Sequence, residues 1–424
     1  MITRVKGTQD FLDLRLFNWL ISQVHAHLAT ANFTEIATPL IEHTQLFSRS
    51  LGLQTDVVSK EMFIIQPREG QEESICLRPE ATASMVRAFV ENHIERTPWK
   101  VYSGGPMFRY ERPQKGRFRQ FNQVTIEVIG GANILHDVQV ITLLDRFFHE
   151  KLSINNYALL INFLGCFNDR QEYKQLLYDY LQETALSVMC ENCIERKEKN
   201  IMRIFDCKQA PCQQIYKNAP FIADNLCEAC EVEWQQLQST LELLSISFVC
   251  QPTLVRGLDY YNKTVFEFAS NDLGAQNAFC GGGRYDQLVS QLGGKQDQPC
   301  VGAAIGIERL LMILERQADR IQLPVLPALH VIMPFGAEQQ ALALLIADEL
   351  QARGLCVQVM LDSDSFKSMM SKANKWGARF ALLLGPDEQQ AHQITVKHMV
   401  TGVQEKVAQA HIVDYLMGKK LETK

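Results

Sequence analysis

No apolar run in the 424 residues approaches the ~20 needed to span a membrane as a helix. There is no internal repeat and no low-complexity tract. The start, Met1-Ile2-Thr3-Arg4, leads into mixed polar sequence without the apolar core of a signal peptide, so a cytosolic location without membrane contact is the expectation. Basic charge is not in excess either. The net charge is −6 and the pI about 6.0, whereas dedicated nucleic-acid binders are usually basic, so any nucleic-acid contact has to rest on local patches. Several signatures of known chemistry are missing. Gly293-Gly294-Lys295 lacks the upstream glycine and the following Ser or Thr of a P-loop, Gly281-Gly282-Gly283 is not GxGxxG, and HExxH does not occur. His25 and His27 are two apart and point away from each other on a helix.

What is present is an ordinary globular composition, 46% hydrophobic and 21% charged, in a chain long enough for two or three domains of roughly 150 residues. Leu14, Phe17, Leu20, Ile21, Val24 and Leu28 recur at helical spacing and predict an amphipathic helix over 14–29. Ile75-Cys76-Leu77 reads as a short strand, followed by Arg78-Pro79-Glu80 and a helix over 81–95. Segments 100–109 and 121–129 read as a long antiparallel hairpin around a polar loop. The stretch 166–245 is polar and helix-prone and holds seven cysteines. Strand signals return at 264–268, Gly281-Gly282-Gly283 marks a turn, and 301–314 reads as a strand running into a helix. A linker at 316–327 carries Pro324 and Pro327. Beyond it, strands at 329–333, 357–360 and 380–384 alternate with helices at 338–353 and 366–377, which predicts a small α/β domain with a largely parallel sheet.

Chemistry concentrates in a few places. In the second hairpin strand Val124, Ile126 and Val128 alternate with Gln123, Thr125 and Glu127, so one face is apolar and the other carries an amide, a hydroxyl and a carboxylate. The pattern alone also fits a sheet with one solvated face. The loop Arg109-Tyr110-Glu111-Arg112-Pro113-Gln114-Lys115-Gly116-Arg117-Phe118-Arg119 sets five basic residues against one acid with aromatics between them. That combination suits a polyphosphate or a nucleic-acid end, as well as a solvated basic turn. Arg256-Gly257 precedes Tyr260-Tyr261, whose hydroxyls could orient a small polar ligand. Gly302-Ala303-Ala304-Ile305-Gly306-Ile307-Glu308-Arg309 is small-residue backbone entering a helix, with Arg309 in reach of a phosphate. Lys372, Lys375 and Arg379 fall on one helical face near Lys367 and make a second basic patch.

The cysteines form two knuckle-like pairs, Cys190-x-x-Cys193 and Cys227-x-x-Cys230, with Cys207 and Cys212 between them. Joined as one set of four, the two pairs would make a tetrahedral structural zinc site, but the 33 residues separating them exceed the usual span. Free thiols are the expectation, and no catalytic metal is assigned.

Taken together, these segments resemble the histidyl-tRNA synthetase family of bacterial type, class II enzymes. The resemblance rests on Lys6-Gly7-Thr8-Gln9-Asp10-Phe11, on Phe108-Arg109-Tyr110-Glu111-Arg112-Pro113 (motif 2), on Leu254–Tyr261 and Gly282-Gly283-Arg284-Tyr285-Asp286 (the histidine-specific motifs) and on Gly302–Arg309 (motif 3), in family order across almost the whole chain. It implies an α+β catalytic domain over 1–322, built on a six-stranded antiparallel sheet with a helical insertion at about 166–245. It further implies an α/β anticodon-binding domain over 328–424, a homodimer, and ATP-dependent attachment of L-histidine to its tRNA through a histidyl adenylate.

By position, Glu80, Thr82 and Gln123 would hold the amino-acid end of histidine. Glu127 and Tyr261 would bond its imidazole, and Tyr260 and Tyr285 would wall the pocket. Arg109 and Arg256 would grip the α-phosphate. Glu111, Phe121 and Arg309 would take the adenine and Arg117 the γ-phosphate of ATP, with Mg2+ riding on the phosphates. Gln114, Lys115, Lys372 and Lys375 would contact tRNA. Ala81, Gly281 and Gln287 depart from the family pattern. Two other readings remain: a non-catalytic relative, the regulatory subunit of ATP phosphoribosyltransferase, and a zinc-bearing RNA-binding module.

Overall fold

The alternation in the hairpin dictates the centre of the molecule. Val124, Ile126 and Val128 are fully buried on one face of the strand Gln120–Ile129, which pairs antiparallel with Trp99–Phe108. The computed structural model describes residues 1–52, 55–66, 73–184, 188–274, 277–362 and 365–421. It divides into two compact units, 1–323 and 324–424.

The first unit is built on one sheet. Its long strands are β1 (Trp99–Phe108), β2 (Gln120–Ile129), β3 (Ala158–Phe163), β4 (Asn262–Ala269), β5 (Ala278–Arg284) and β6 (Cys300–Gly306). They lie in the order β1-β2-β6-β5-β4-β3, every pair antiparallel. A two-residue parallel strand is added at each edge, Thr34–Glu35 beside β1 and Val249–Cys250 beside β3. The expected six-stranded antiparallel sheet is therefore present, with short additions. The apolar face of β2 packs under the helix Arg15–Thr30, through Leu20, Val24 and Leu28, and under Leu135–Arg146 and Ile307–Leu314. Leu14 lies outside the first of these helices and is exposed.

One expectation fails in this sheet. Gly281-Gly282-Gly283 is not a turn but the middle of β5, between β4 and β6. Three glycines offer no side chains to alternate, so the period of a strand cannot be read from them. In a strand interior, glycine instead marks a place where something approaches the backbone closely.

The stretch 166–245 is helical as expected, with helices Phe167–Thr184, Glu191–Lys199, Ala210–Tyr216 and Glu228–Leu243. The second unit contains β7 (Leu329–Pro334), β8 (Cys356–Val359), β9 (Phe380–Leu384), β10 (Gln393–His398) and β11 (Gln404–Ala408), ordered β8-β7-β9-β10-β11. The helices Ala337–Ala352 and Phe366–Lys375 make the crossovers that let β7, β8 and β9 run parallel. The pairs β9–β10 and β10–β11 are antiparallel, so the sheet is mixed rather than largely parallel. Arg379 also departs from its expected place. The helix stops at Lys375 and Gly377 takes φ +68, so Arg379 sits past the helix, with its guanidinium over the Phe380 ring. No helix among the described residues is long and apolar enough to cross a membrane.

Candidate active site

The polar face of β2 is not solvated. Thr125 and Glu127 are each 1% exposed, which removes the reading of a sheet with one wet face. Side chains directly opposite across paired strands share a face. Glu127 stands opposite Gly302 on β6, which stands opposite Gly283 on β5; Thr125 leads in the same way to Ala304 and Gly281, and then to Glu267 on β4. The two central strands thus supply a floor of glycine and alanine, with Gln123 and Glu127 rising on one side and Glu267 on the other. Three strand spacings of about 4.8 Å make this trough roughly 14 Å wide.

At two positions of the floor a side chain would meet the site residues directly. A Cβ at Gly302 would collide with the Glu127 carboxylate, and one at Gly281 would collide with the Arg256 guanidinium. Arg256 therefore lies directly over the floor, where it donates to Glu267 Oε1. Burial works against its charge, but the Glu267 carboxylate together with Tyr261, Tyr260 and Cys280 raises its pKa.

At the other wall Glu127 accepts from Thr82 Oγ1 at 2.6 Å and from the Tyr285 hydroxyl. Burial dominates and pushes its carboxyl up to about 8. Tyr260 lies against Tyr261 and Tyr285, with ring centroids 4.6 and 5.5 Å away, so three tyrosines wall the cavity beside Glu127. Glu80 accepts from Thr82 N at 2.6 Å and Ala83 N at 2.9 Å. It thereby caps the helix Thr82–Glu91, whose N-terminal N–H groups have no partner within the helix. Burial raises the Glu80 carboxyl above the usual carboxylate range, against these hydrogen bonds and the Arg109 charge. Gln123 Oε1 is buried without a hydrogen-bond partner among the described residues, an acceptor able to take a donor.

The loop after β1 separates into two sets. Arg109 donates to Pro79 O at 2.9 Å and its guanidinium lies 5.5 Å from the Phe121 ring centroid. Arg117 pairs with Glu111 at 3.2 Å. Arg309 is anchored by Gly116 O at 2.9 Å and Ala278 O at 2.6 Å. Burial lowers the pKa of Arg309, and the charges of Arg117 and Arg109 lower it further, so three guanidinium groups crowd one place. Phe121 thus meets Arg109, while the guanidinium of Arg309 is held by the two carbonyls. Gln114 and Lys115 are exposed on the outside of the loop. In the second unit Lys375 is exposed and Lys372 half-buried.

Arg109 acts on Glu80, while Arg256, Glu127 and Glu80 all act on Tyr261. Several supporting residues escaped the sequence reading. Glu267 is one. Arg284 is another: although it sits in a histidine motif, it is 1% exposed and bonded to the fully buried Asp137, to Gly131 O and to Asn133 O, so it fixes the end of β5 from which Tyr285 projects. Glu308 accepts from the backbone and side chain of Asn122 at 2.8 and 2.9 Å, joining motif 3 to β2. Buried ion pairs between distant segments leave no local signal.

The cysteine pairs do not join each other. Cys190 and Cys193 gather with Cys207 and Cys212, whereas Cys227 and Cys230 gather with Cys166 and Asp169. The single set of Cys190, Cys193, Cys227 and Cys230 is therefore incorrect.

An antiparallel six-stranded sheet whose polar face carries a motif 2 hairpin, a motif 3 strand–helix and converging arginines defines the catalytic domain of a class II aminoacyl-tRNA synthetase. Comparison with known proteins narrows this. The family profile described as histidyl-tRNA synthetase matches residues 12–310, and an anticodon binding domain matches 330–419. Histidine–tRNA ligase of Clostridioides difficile (strain 630) is 39% identical over 424 residues, covering 99% of this chain and all of the relative. That of Nitratidesulfovibrio vulgaris (strain DP4) is 41% identical over 421 residues, covering 98% of each. The crystal structure of apo Staphylococcus aureus histidyl-tRNA synthetase superimposes with a TM-score of 0.78 at 30% identity, covering 98% of this chain and 99% of that one. The chain belongs to the histidyl-tRNA synthetase family.

Proposed function

We propose that the protein joins L-histidine to its tRNA in two steps, and that the trough is where both occur. Glu80, Thr82 and Gln123 hold the amino-acid end of histidine. The imidazole donates to Glu127 and accepts from Tyr261, between the rings of Tyr260 and Tyr285. A neutral imidazole offers one donor and one acceptor, so this pair of partners selects it. An apolar or smaller side chain would leave both groups buried and unpaired.

ATP enters with Mg2+ on its phosphates. Glu111 accepts from the adenine amino group, the ring lies between Phe121 and Arg309, and Arg117 leaves Glu111 to meet the γ-phosphate. The histidine carboxylate attacks the α-phosphorus and pyrophosphate departs. Arg109 and Arg256, approaching from the two sides of the trough, stabilise the charge that grows on the equatorial oxygens. A ribose hydroxyl at the tRNA end then attacks the adenylate carbonyl and AMP leaves. Gln114 and Lys115 meet the acceptor end of the tRNA, and Lys372 and Lys375 meet it in the unit that begins at Pro324. The protein works in the cytoplasm as a homodimer, with 1–322 as the catalytic domain and 328–424 as the anticodon-binding domain.

The observation that carries this reading is Glu127: a carboxylate buried beside three tyrosines, on a glycine floor that leads to Arg256. A non-catalytic regulatory subunit has no need of Arg256, Glu267 and an anticodon domain together. An RNA-binding module has no need of Glu127. The test is ATP–pyrophosphate exchange run across the amino acids. Exchange with histidine alone is expected. Its absence with histidine, or equal exchange with several amino acids, overturns the reading.

A further inference from the structure

The helical insertion carries an arrangement that the catalytic chemistry does not use. Sγ atoms of Cys190, Cys193, Cys207 and Cys212 lie within 4.8 Å of one another, and so do the ligand atoms of Cys166, Asp169, Cys227 and Cys230. Each set is drawn from separate stretches of chain. The cysteines are free thiols. We propose that the insertion is folded around two structural zinc ions, one held by Cys190, Cys193, Cys207 and Cys212 and the other by Cys166, Asp169, Cys227 and Cys230.

The spacing fits a single tetrahedral zinc ion. Zn–S bonds of about 2.3 Å in a tetrahedron place the sulfurs about 3.8 Å apart. Cys190 Sγ and Cys207 Sγ are 3.8 Å apart. A polynuclear iron–sulfur cluster would hold its thiolates further from one another. Thiolate ligands carry negative charge that backbone N–H groups relieve, and such groups are in place. Cys190 N donates to Cys212 Sγ at 3.3 Å and Gln209 N to Cys207 Sγ at 3.4 Å. The turn at Cys190 is closed by Cys193 N and Ile194 N, both donating to Cys190 O, so both thiols of the pair face one point.

The second set supplies an independent observation. Asp169 is 3% exposed and has no ion pair among the described residues. Its Oδ2 accepts from Cys166 N at 3.0 Å and its Oδ1 from Cys227 N at 3.1 Å, which orients the carboxylate among three thiols. A buried carboxylate without a counter-charge is costly. With neutral thiols the carboxylate is served by hydrogen bonds alone, Cys227 Sγ donating to Oδ2 at 3.6 Å, whereas a divalent cation at the meeting point of Asp169 with Cys166, Cys227 and Cys230 supplies the missing counter-charge.

The two ions do different jobs. The Cys166 site ties the first residues after β3 to the start of the exit helix Glu228–Leu243, closing the insertion at its root. The neighbouring Arg170 donates to Tyr261 O at 2.8 Å, so this site also braces the histidine pocket. The Cys190 site closes the segment that bears Asn200, which donates to Asp259 Oδ1 at 2.7 Å, and Arg203, which pairs with Asp56 at 2.8 Å.

The test is metal analysis of the full-length chain, expressed with zinc and purified under reducing conditions. Two zinc ions per chain are expected, one for each set. Cys193→Ser and Cys230→Ser should each lose one ion and the double variant both. Cys250→Ser and Cys356→Ser, exposed cysteines outside the sets, should keep both. Cobalt substitution should give the strong sulfur-to-metal absorption of tetrahedral thiolate sites. The wild-type measurement is decisive even where a variant fails to fold: zinc-free protein with every thiol titratable overturns the proposal. Zinc that persists in Cys230→Ser at the wild-type level overturns the Cys166–Asp169 site.

Discussion

Replacing Glu127 by glutamine separates two effects that the wild-type residue combines. Burial holds its carboxyl up to about 8, against an ordinary value of 4.5. The folded chain therefore binds a proton that the unfolded chain has released between about pH 4.5 and 8, and stability falls as pH rises through that window. The shift is worth at most about 5 kcal/mol at about 1.4 kcal/mol per pH unit. Glu127→Gln removes the ionisation, so the variant should lose this pH dependence and melt higher than wild type at pH 8.5. Catalysis should move the other way. The carboxylate accepts the imidazole N–H far more strongly than the protonated carboxyl or an amide oxygen, and with a pKa near 8 it is about one-eleventh ionised at pH 7 and half ionised at pH 8. The wild-type KM for histidine should thus fall about fivefold between these pH values and level off above them. The variant, having lost a charged acceptor worth about 2–4 kcal/mol, should lose about 30- to 10³-fold in kcat/KM for histidine-dependent pyrophosphate exchange, with a KM that is flat in pH. A wild-type KM that rises from pH 7 to 8, or a variant that is less stable at high pH and still active, would refute the assignment of Glu127.

Three further tests probe other parts of the site. Arg256→Ala should fold, as judged by circular dichroism, and lose about 10²–10³-fold in pyrophosphate exchange, since one fixed charge on the transition state has gone; near-normal exchange counts against its role. Asp137→Asn leaves the Arg284 guanidinium buried with only Asp286 Oδ1, at 3.3 Å, as counter-charge. It should lower the unfolding free energy by about 3 kcal/mol in urea titration, and an unchanged midpoint would show that the pair is not structural. Affinity for tRNA should fall steeply from low to physiological salt, with Lys115→Ala and Lys375→Ala each lessening the slope of log K against log salt by about 1; flat binding would remove the basic patches from the footprint.

How far the sequence could be read depended on whether each signal was local. Val124, Ile126 and Val128 announce a strand by their period, and they are buried as that period requires. What the period cannot tell is whether the opposite face meets water. Glu127 looks the same in either case, and only the elements folded over it, from Thr82 to Tyr285, make it a buried site. In the second unit Ile394 and Val396 alternate as a strand should and are buried, yet the short antiparallel strands after β9 went unread because their partner β11 is mostly exposed and polar. The cysteine pairs were legible as pairs, since each pair opens a helix. Their grouping was not, because it depends on how the insertion folds back: Cys166 and Asp169 lie far before the pair they join.

The glycines of β5 and β6 explain why the site is assembled from such distant residues. A sheet centre would normally fill the space above it with Val or Ile, but a side chain at 302 would collide with the Glu127 carboxylate and one at 281 would displace the Arg256 guanidinium. Keeping both strands bare costs packing and backbone entropy, since glycine loses more freedom on folding than other residues. That cost is offset elsewhere in the same strands. Arg284 locks the end of β5 through Asp137, and Glu308 locks the helix after β6 to Asn122. The bare floor and the two locks therefore form one device: side chains are withheld where, on the proposed reading, histidine and the α-phosphate would lie, and buried polar contacts at the strand ends hold the empty strands in register.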